Sequence, residues 1–225
     1  MIIRIDAGKC KSIVQGYAQF EDGMSDYFYY NDYNFGSGKA YGLVSEYQEG
    51  CMYLSYLLGG RINSIDDLEI FLDDKKILAH DLYEMSWNLE PSNEKYKNKI
   101  VKKSIEEALN HKYVKESFEE ISKAFYLTEA RFDRKLKNLS GERWRASAAL
   151  GYSLGKRIFF APYKPSNYFQ YLSETVFTNV ISFLKDKDCL VVLPVGSDRV
   201  IKGLTDEIIY ILQKPNCIEA YKICD

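Results

Sequence analysis

Histidine is nearly missing from this chain: His80 and His111 are the only two, and both lie in its first half. That scarcity leaves little chemistry based on an imidazole titrating near neutral pH. No apolar run approaches the twenty or so residues that a membrane-spanning helix needs, and Met1-Ile2-Ile3-Arg4 does not open a secretion signal. The five cysteines (Cys10, Cys51, Cys189, Cys217, Cys224) are odd in number and contain no Cys-x-x-Cys pair. They read as free thiols in a reducing cytosol, neither a disulfide frame nor a zinc site. A net charge of −2 gives no general attraction to nucleic acid, and none is expected as a partner. The acidic pairs Asp66-Asp67 and Asp73-Asp74 lack the spacing of a calcium loop.

What is present describes one α/β domain spanning 1–225, long enough to bury a large core. Residues 1 to about 36 alternate short β-rich runs with Gly and Asp turns such as Asp22-Gly23 and Gly36-Ser37-Gly38, which predicts an antiparallel edge region. In Tyr27-Phe28-Tyr29-Tyr30 with Tyr33, alternate tyrosines are expected to face solvent. Ala40 to Val44 reads as a buried strand, Ser45 to Gly50 as a polar turn, and Leu54 to Leu58 as a helix closed by Gly59-Gly60. Glu90-Pro91-Ser92-Asn93 breaks the pattern. Helix-spaced apolar positions then follow at Ile100, Ile105 and Leu109, and at Phe118, Ile121 and Phe125. The charges between them are expected to form a solvated face. Asn138 to Arg145 leads into an alanine-rich helix, Ala146 to Leu154. Two apolar strands come next, Arg157 to Ala161 and Cys189 to Leu193, and Gly203 to Leu212 contains a last one.

Taken in order, these segments resemble the ATP-binding subunit of an ABC transporter over nearly the whole chain. Lys39 to Val44 is similar to the strand that enters that family's phosphate loop, with Ser45, Gly50, Cys51, Met52 and Tyr53 on the loop and helix start. Leu139-Ser140-Gly141-Glu142 resembles the signature segment, one glycine short. Phe159 to Ser166 resembles the second Walker strand, with Tyr163 and Lys164 where the family has Asp-Glu. Leu190 to Gly196 is similar to the strand carrying the switch histidine, Val195 lying near that position. Thr205-Asp206-Glu207 resembles the late Cys-Asp-Arg segment. The resemblance implies a P-loop NTPase-like (RecA-like) core with a mainly parallel sheet, an N-terminal antiparallel β region, and an inserted helical arm or subdomain at about 90–155.

At the matching positions the chemistry is missing. A working loop, G-x-x-x-x-G-K-[ST], wraps phosphates with backbone N–H groups, neutralises them with lysine and holds Mg²⁺ through the hydroxyl. Cys51 and Met52 stand where Lys and Ser/Thr belong, and Glu46 and Glu49 add negative charge. Tyr163 supplies no carboxylate for the metal, and no acidic residue occurs anywhere from Arg157 to Gln170. Lys164 puts a cation where the family keeps its catalytic glutamate. Serine and glutamine in place of glycine at Ser45 and Gln48 make left-handed backbone costlier there. Of three Gly-Lys pairs (Gly8-Lys9, Gly38-Lys39, Gly155-Lys156), none is followed by Ser or Thr. Gly36-Ser37-Gly38-Lys39 precedes its strand instead of following it, and so reads as a turn.

The expectation is a non-catalytic member of the fold, with no cofactor, no metal and no catalytic residue, in the cytoplasm or peripheral on the inner face of the membrane. The resemblance implies as partners another ATP-binding subunit, in a homo- or heterodimer, and a membrane permease. In that family the segment matching Ser140-Gly141 caps the nucleotide held by the opposite subunit. Two alternatives stand beside it: a residual ATPase binding ATP with Mg through compensating cations such as Lys39 or Lys164, and a soluble scaffold or regulatory protein that keeps the fold. Cys51 is expected to be a buried, inert thiol, and both histidines to be surface or partly buried polar residues.

Overall fold

A computed structural model of the chain describes residues 1–8, 16–19, 25–28, 31–62, 68–90, 94–164, 166–173 and 176–211. Cys10, Cys217, Cys224, Lys9, Asp22, Gly23, Tyr29, Tyr30, Asp66, Asp67, Pro165, Leu212 and the break at 91–93 lie outside the described residues.

Strands come first: β1 (Ile2–Asp6), β2 (Gly16–Gln19), β3 (Ser25–Phe28), β4 (Tyr33–Gly36) and β5 (Ala40–Val44). After α1 (Cys51–Leu58) come β6 (Glu69–Leu72), β7 (Lys75–Ile77), α2 (Ala79–Tyr83) and β8 (Ser86–Asn88). A helical stretch follows, α3 (Glu94–Lys97), α4 (Val101–Leu109), α5 (Phe118–Ala124) and α6 (Arg143–Ser153). The chain then runs through β9 (Ile158–Phe160), α7 (Ser166–Ser173), α8 (Phe177–Asp186), β10 (Leu190–Val195) and β11 (Glu207–Tyr210).

A five-stranded sheet in the order β11-β5-β10-β9-β8 is parallel throughout. Parallel strands are buried on both faces, which explains why β5, β9 and β10 are continuously apolar instead of alternating. Successive side chains pack into opposite cores. Tyr41, Leu43, Ile158, Phe160, Leu190 and Val192 meet α1 and the antiparallel sheet. Ala40, Phe159, Ala161, Val191 and Leu193 meet the apolar faces of α4, α5, α6 and α8. Gly42 permits a close approach in the middle of β5, since a Cβ there would fall 2.1 Å from Ile201 Cδ1.

The second sheet, β4-β1-β6-β7, is antiparallel, and β2 pairs with β3 as a separate two-stranded ribbon. The expected N-terminal antiparallel region is therefore larger than the sequence pattern indicated, because β6 and β7 return to it after α1.

Helix signals hold locally. Ser117 and Glu120 close a capping box at α5, with Ser117 N–H donating to Glu120 at 2.7 Å and Glu120 N–H to Ser117 Oγ at 3.2 Å. On α4 the residues at i, i+3, i+4 and i+7 (Val101, Ser104, Ile105, Ala108) are buried. Ile100, grouped with that face by periodicity, instead ends up exposed, in a bridge to Lys135 just outside the helix. Among the described residues no helix is long and apolar enough to cross a membrane.

Candidate functional site

Ligands in open α/β sheets sit beyond the carboxyl ends of the strands. Here that end is formed by the β5–α1 loop, Pro162 to Lys164 after β9, and Val195 at the end of β10. The structure brings these expected residues together. Ser45 N–H donates to the Val195 carbonyl at 3.2 Å, and Lys164 bridges to Val195 in parallel register. The Val195 side chain itself is buried in the core on the α6 side of the sheet.

Gly50 opens α1 at φ 101°, a left-handed conformation that glycine adopts at little cost. Gln48 also sits at φ 67°, with no glycine to relieve it. Seven of the eight residues of α1 are buried, including Cys51, Met52 and Tyr53. A helix of this kind presents unpaired N–H groups at its start, together with the positive end of its dipole. In this chain those groups are already engaged. Gly50 N–H donates to Asp26 Oδ1 at 2.9 Å and Tyr53 N–H to Asp26 Oδ2 at 2.7 Å. The backbone N–H groups of Met52 and Tyr27 lie near the same carboxylate and help to lower its pKa. Cys51 N–H donates to Ser45 Oγ at 3.3 Å.

Asp26 is fully buried on β3. It shares one face of that strand with Phe28, whose ring stacks on Tyr53 at 3.5 Å between centroids. Tyr27, facing the other way, is 46% exposed, as the tyrosine alternation predicted. The strand is tied across the loop by Tyr27 N–H, which donates to the Gln48 carbonyl at 3.0 Å. Burial raises the Asp26 carboxyl above its ordinary range, although the backbone N–H groups around it, those of Gly50 and Tyr53 first, pull it down. Burial likewise pushes the Cys51 thiol up to about 12, so the nearby helix start does not make it a thiolate.

The far wall of the site is aromatic and internally paired. Tyr163 lies 5.4 Å from the half-exposed Tyr47 ring, and burial, with Cys51 and Glu46 nearby, raises its hydroxyl pKa. Lys164 turns away from the loop and pairs with Glu90 at 2.5 Å, while Arg143 of α6 reaches the other oxygen of Glu90 at 3.3 Å. Lys39 precedes β5 and so lies at the opposite, amino-terminal end of the sheet, paired with Glu207 at 2.5 Å. Neither cation named as a compensating group therefore faces the loop.

Leu139, Ser140, Gly141 and Glu142 occupy a separate place, at the start of α6. Ser140 and Gly141 are exposed, and Leu139 is buried. They line a cleft of about 430 Å³ with Lys137, Trp144 and Tyr171. Glu142 is buried, accepts a hydrogen bond from the Thr128 hydroxyl, and faces Arg131 at 3.6 Å and Arg145 at 3.4 Å. It thus anchors the segment internally. His80 and His111 are exposed and stack on Tyr83 and Tyr113 respectively, as surface residues do.

A magnesium nucleotide needs a cation on its phosphates and hard oxygen donors on its metal. Residues 40–60 contain two glutamates and no lysine or arginine. Met52 and Tyr163 are not magnesium ligands, and the N–H groups of α1 hold Asp26; the residues present do not fit that group. Among the described residues no cluster of three or more His, Cys, Asp or Glu is placed to hold a metal.

Asp26 and Glu90 are the residues sequence reasoning missed. The one signal for Asp26 was its phase, since an aspartate two residues from Phe28 in a β-run points inward. Glu90 read only as part of a break.

No family model matches the sequence, and no curated protein matches it. The fold, by contrast, matches solved structures over nearly its whole length. The ADP conformation of an ATP-binding cassette of an ABC transporter superposes with a TM-score of 0.66 at 14% identity, covering 98% of each chain. The cbiO1 protein from Clostridium perfringens, part of the ABC transporter complex cbiONQ, gives 0.64 at 13% identity over 98% of this chain and 91% of its own. A dimeric bacterial ABC transporter cassette gives 0.60 at 16% identity, over 93% and 94%. The chain has the fold of the ABC transporter ATP-binding cassettes, a P-loop NTPase fold.

Proposed function

We propose that this chain is a non-catalytic subunit built on the cassette fold, acting by pairing with another ATP-binding subunit or by seating on a membrane permease. The observation that carries the reading is the β5–α1 loop. It bears glutamates and no cation, carries Cys51 and Met52 at the positions that the resemblance matches to the Lys and Ser/Thr of a phosphate loop, and has N–H groups occupied from within. The similar cbiO1 is part of a transporter complex and another similar cassette is dimeric, which supports a partnered role. Exposed Ser140 and Gly141 at the start of α6 suit the pairing version, in which this segment caps a partner's nucleotide. On this reading residues about 90–155 act as the helical subdomain that meets a permease, ATP and Mg²⁺ are not cofactors, and the protein works at the cytoplasmic face of a membrane.

The test is a thermal melt of the purified chain with and without millimolar Mg²⁺–ATP and ADP. A ligand at a hundred times its Kd stabilises by about 2.7 kcal/mol, which is about 5–10 °C at this size. No shift is expected. A saturable shift of several degrees would sink the non-binding reading. Co-purification with membranes, or with an active cassette, is expected; a chain recovered wholly free of both would support the soluble scaffold instead.

A further inference from the structure

We infer that Asp26 is the resident anion of the β5–α1 loop, an autoinhibitory contact in which the β3 strand closes a latent phosphate seat from within the same chain. The inference rests on the non-binding reading above and names what keeps the site shut. Two oxygens of one carboxylate take hydrogen bonds from Gly50, which caps α1, and Tyr53, its third residue, at distances normal for charge-assisted bonds. The nearby backbone N–H groups of Met52 and Tyr27 add favourable electrostatics without replacing these two bonds. A carboxylate so placed meets the same dipole end and the same N–H groups that a phosphate oxygen would.

The rest of the strap is built to hold it there. Phe28 lies flat on Tyr53 with an interplanar angle of 4°. Gln48 accepts from the Tyr27 N–H at 3.0 Å, and its side chain donates to Ser25 Oγ at 3.4 Å. A side chain on Gly50 would meet Phe28 Cβ at 3.2 Å, so the loop and the strap are fitted closely. The missing lysine weakens phosphate binding at this loop. The strap goes further and fills the seat with a group already paid for in folding, so an incoming anion must displace a buried carboxylate before it gains any contact.

The test compares the full-length chain with Asp26→Asn, which keeps the size and removes the charge, and Asp26→Ser, which withdraws the carboxylate. Inorganic pyrophosphate is the probe, and melting temperature and calorimetric affinity are the readouts. Both variants are expected to melt lower than the wild type in buffer. With 10 mM pyrophosphate they should recover several degrees and bind at least tenfold tighter than the wild type, which should move by less than 1 °C. Folded variants that ignore pyrophosphate, while the wild type also ignores Mg²⁺–ATP, would overturn this inference and leave the non-binding reading standing. Stabilisation of the wild type by Mg²⁺–ATP would overturn the non-binding reading itself. Amide hydrogen exchange on the wild type decides the case if neither variant folds. Gly50 and Tyr53 should exchange as slowly as β5 and be unmoved by pyrophosphate, whereas fast exchange at both would refute the contact.

Discussion

Lys164 and Glu90 meet at 2.5 Å where β9 and β8 end, and the pair is about a quarter exposed. It ties the segment after β9 to the start of α6, because Arg143 shares the same carboxylate. Converting Lys164 to glutamate would set two carboxylates face to face. Lys164→Glu is expected to cost about 1–3 kcal/mol, between the ranges for exposed and buried pairs. That corresponds to a fall of about 3–10 °C in melting temperature. No ATP hydrolysis should appear in a phosphate-release assay. The swap Glu90→Lys with Lys164→Glu should recover only part of the loss, since a lysine at 90 then faces Arg143. Full recovery would show that Arg143 adds nothing to the pair.

Gln48 carries a backbone cost that its side chain barely offsets. At φ 67° a residue with a Cβ is about 1–2 kcal/mol worse off than glycine, and the amide gives back one long hydrogen bond to Ser25. Gln48→Gly also loosens the unfolded chain, which takes back part of the gain. The net expectation is stabilisation by about 0.5–1 kcal/mol, seen as a rise of about 1–4 °C. Gly50→Ala is the converse. Its Cβ would lie 3.0 Å from Ile211 Cγ2 at φ 101°, so a loss of about 2 kcal/mol or more is expected in a urea melt.

The contrast between these loop residues and Asp26 shows what a sequence can and cannot disclose. Strand β5, helix α1 and the glycine between them were legible because apolar runs and a turn follow one another within twenty residues. So were β9 and β10, whose continuous burial leaves no polar interruption. The capping box of α5 was written in Ser117 and Glu120, although periodicity alone found that helix. Asp26 was not legible, because its partner Gly50 lies 24 residues further on and the pairing depends on how β3 crosses the loop. Glu90 was hidden for a related reason: its partners Arg143 and Lys164 come from α6 and the segment after β9, which only the tertiary fold gathers. Local patterns are recorded within a window of the chain, whereas buried charges find their partners across it.

Alkaline pH should unfold this protein steeply. Burial raises the folded-state pKa of Cys51 to about 12 and that of Cys189 to about 11, and it raises Tyr33, Tyr152, Tyr163 and Tyr168 as well. An acid whose pKa is raised on folding binds more protons folded than unfolded between the two values, so stability falls as pH rises through that window. The contribution is fully present below about pH 9, the ordinary value for a thiol, and is gone above the folded values. Chemical denaturation midpoints should therefore be flat from pH 7 to about 8.5 and drop continuously from about 9 to 12. At the acid end Asp206 works in the opposite sense. Burial alone would raise it, yet Lys185 and the Ala40 N–H together hold it below its usual value. Its stabilisation is present above pH 4 and is lost as pH falls through the folded value. Asp206→Asn should flatten the acid limb and leave the alkaline limb unchanged.

Cys51 supplies the last prediction, because its position invites the opposite expectation. A thiol at the first residue of a helix is often ionised by the dipole and by nearby cations. Here burial dominates, the adjacent charge is the Asp26 carboxylate, and the side chain is 1% exposed. With a pKa of about 12, roughly one molecule in ten thousand carries the thiolate at pH 8. Iodoacetamide at pH 8 is expected to leave Cys51 unmodified in the native protein over hours and to alkylate it fully within minutes in 8 M urea. Peptide mapping by mass spectrometry reads each cysteine separately, and Cys189, also buried, should behave the same way. Asp26→Asn removes the neighbouring negative charge and loosens the strap above the thiol, so it should raise the native alkylation rate of Cys51 by at least tenfold and leave that of Cys189 unchanged. Rapid labelling of Cys51 in the wild type would mean that the loop opens far more often than the Asp26 contact allows.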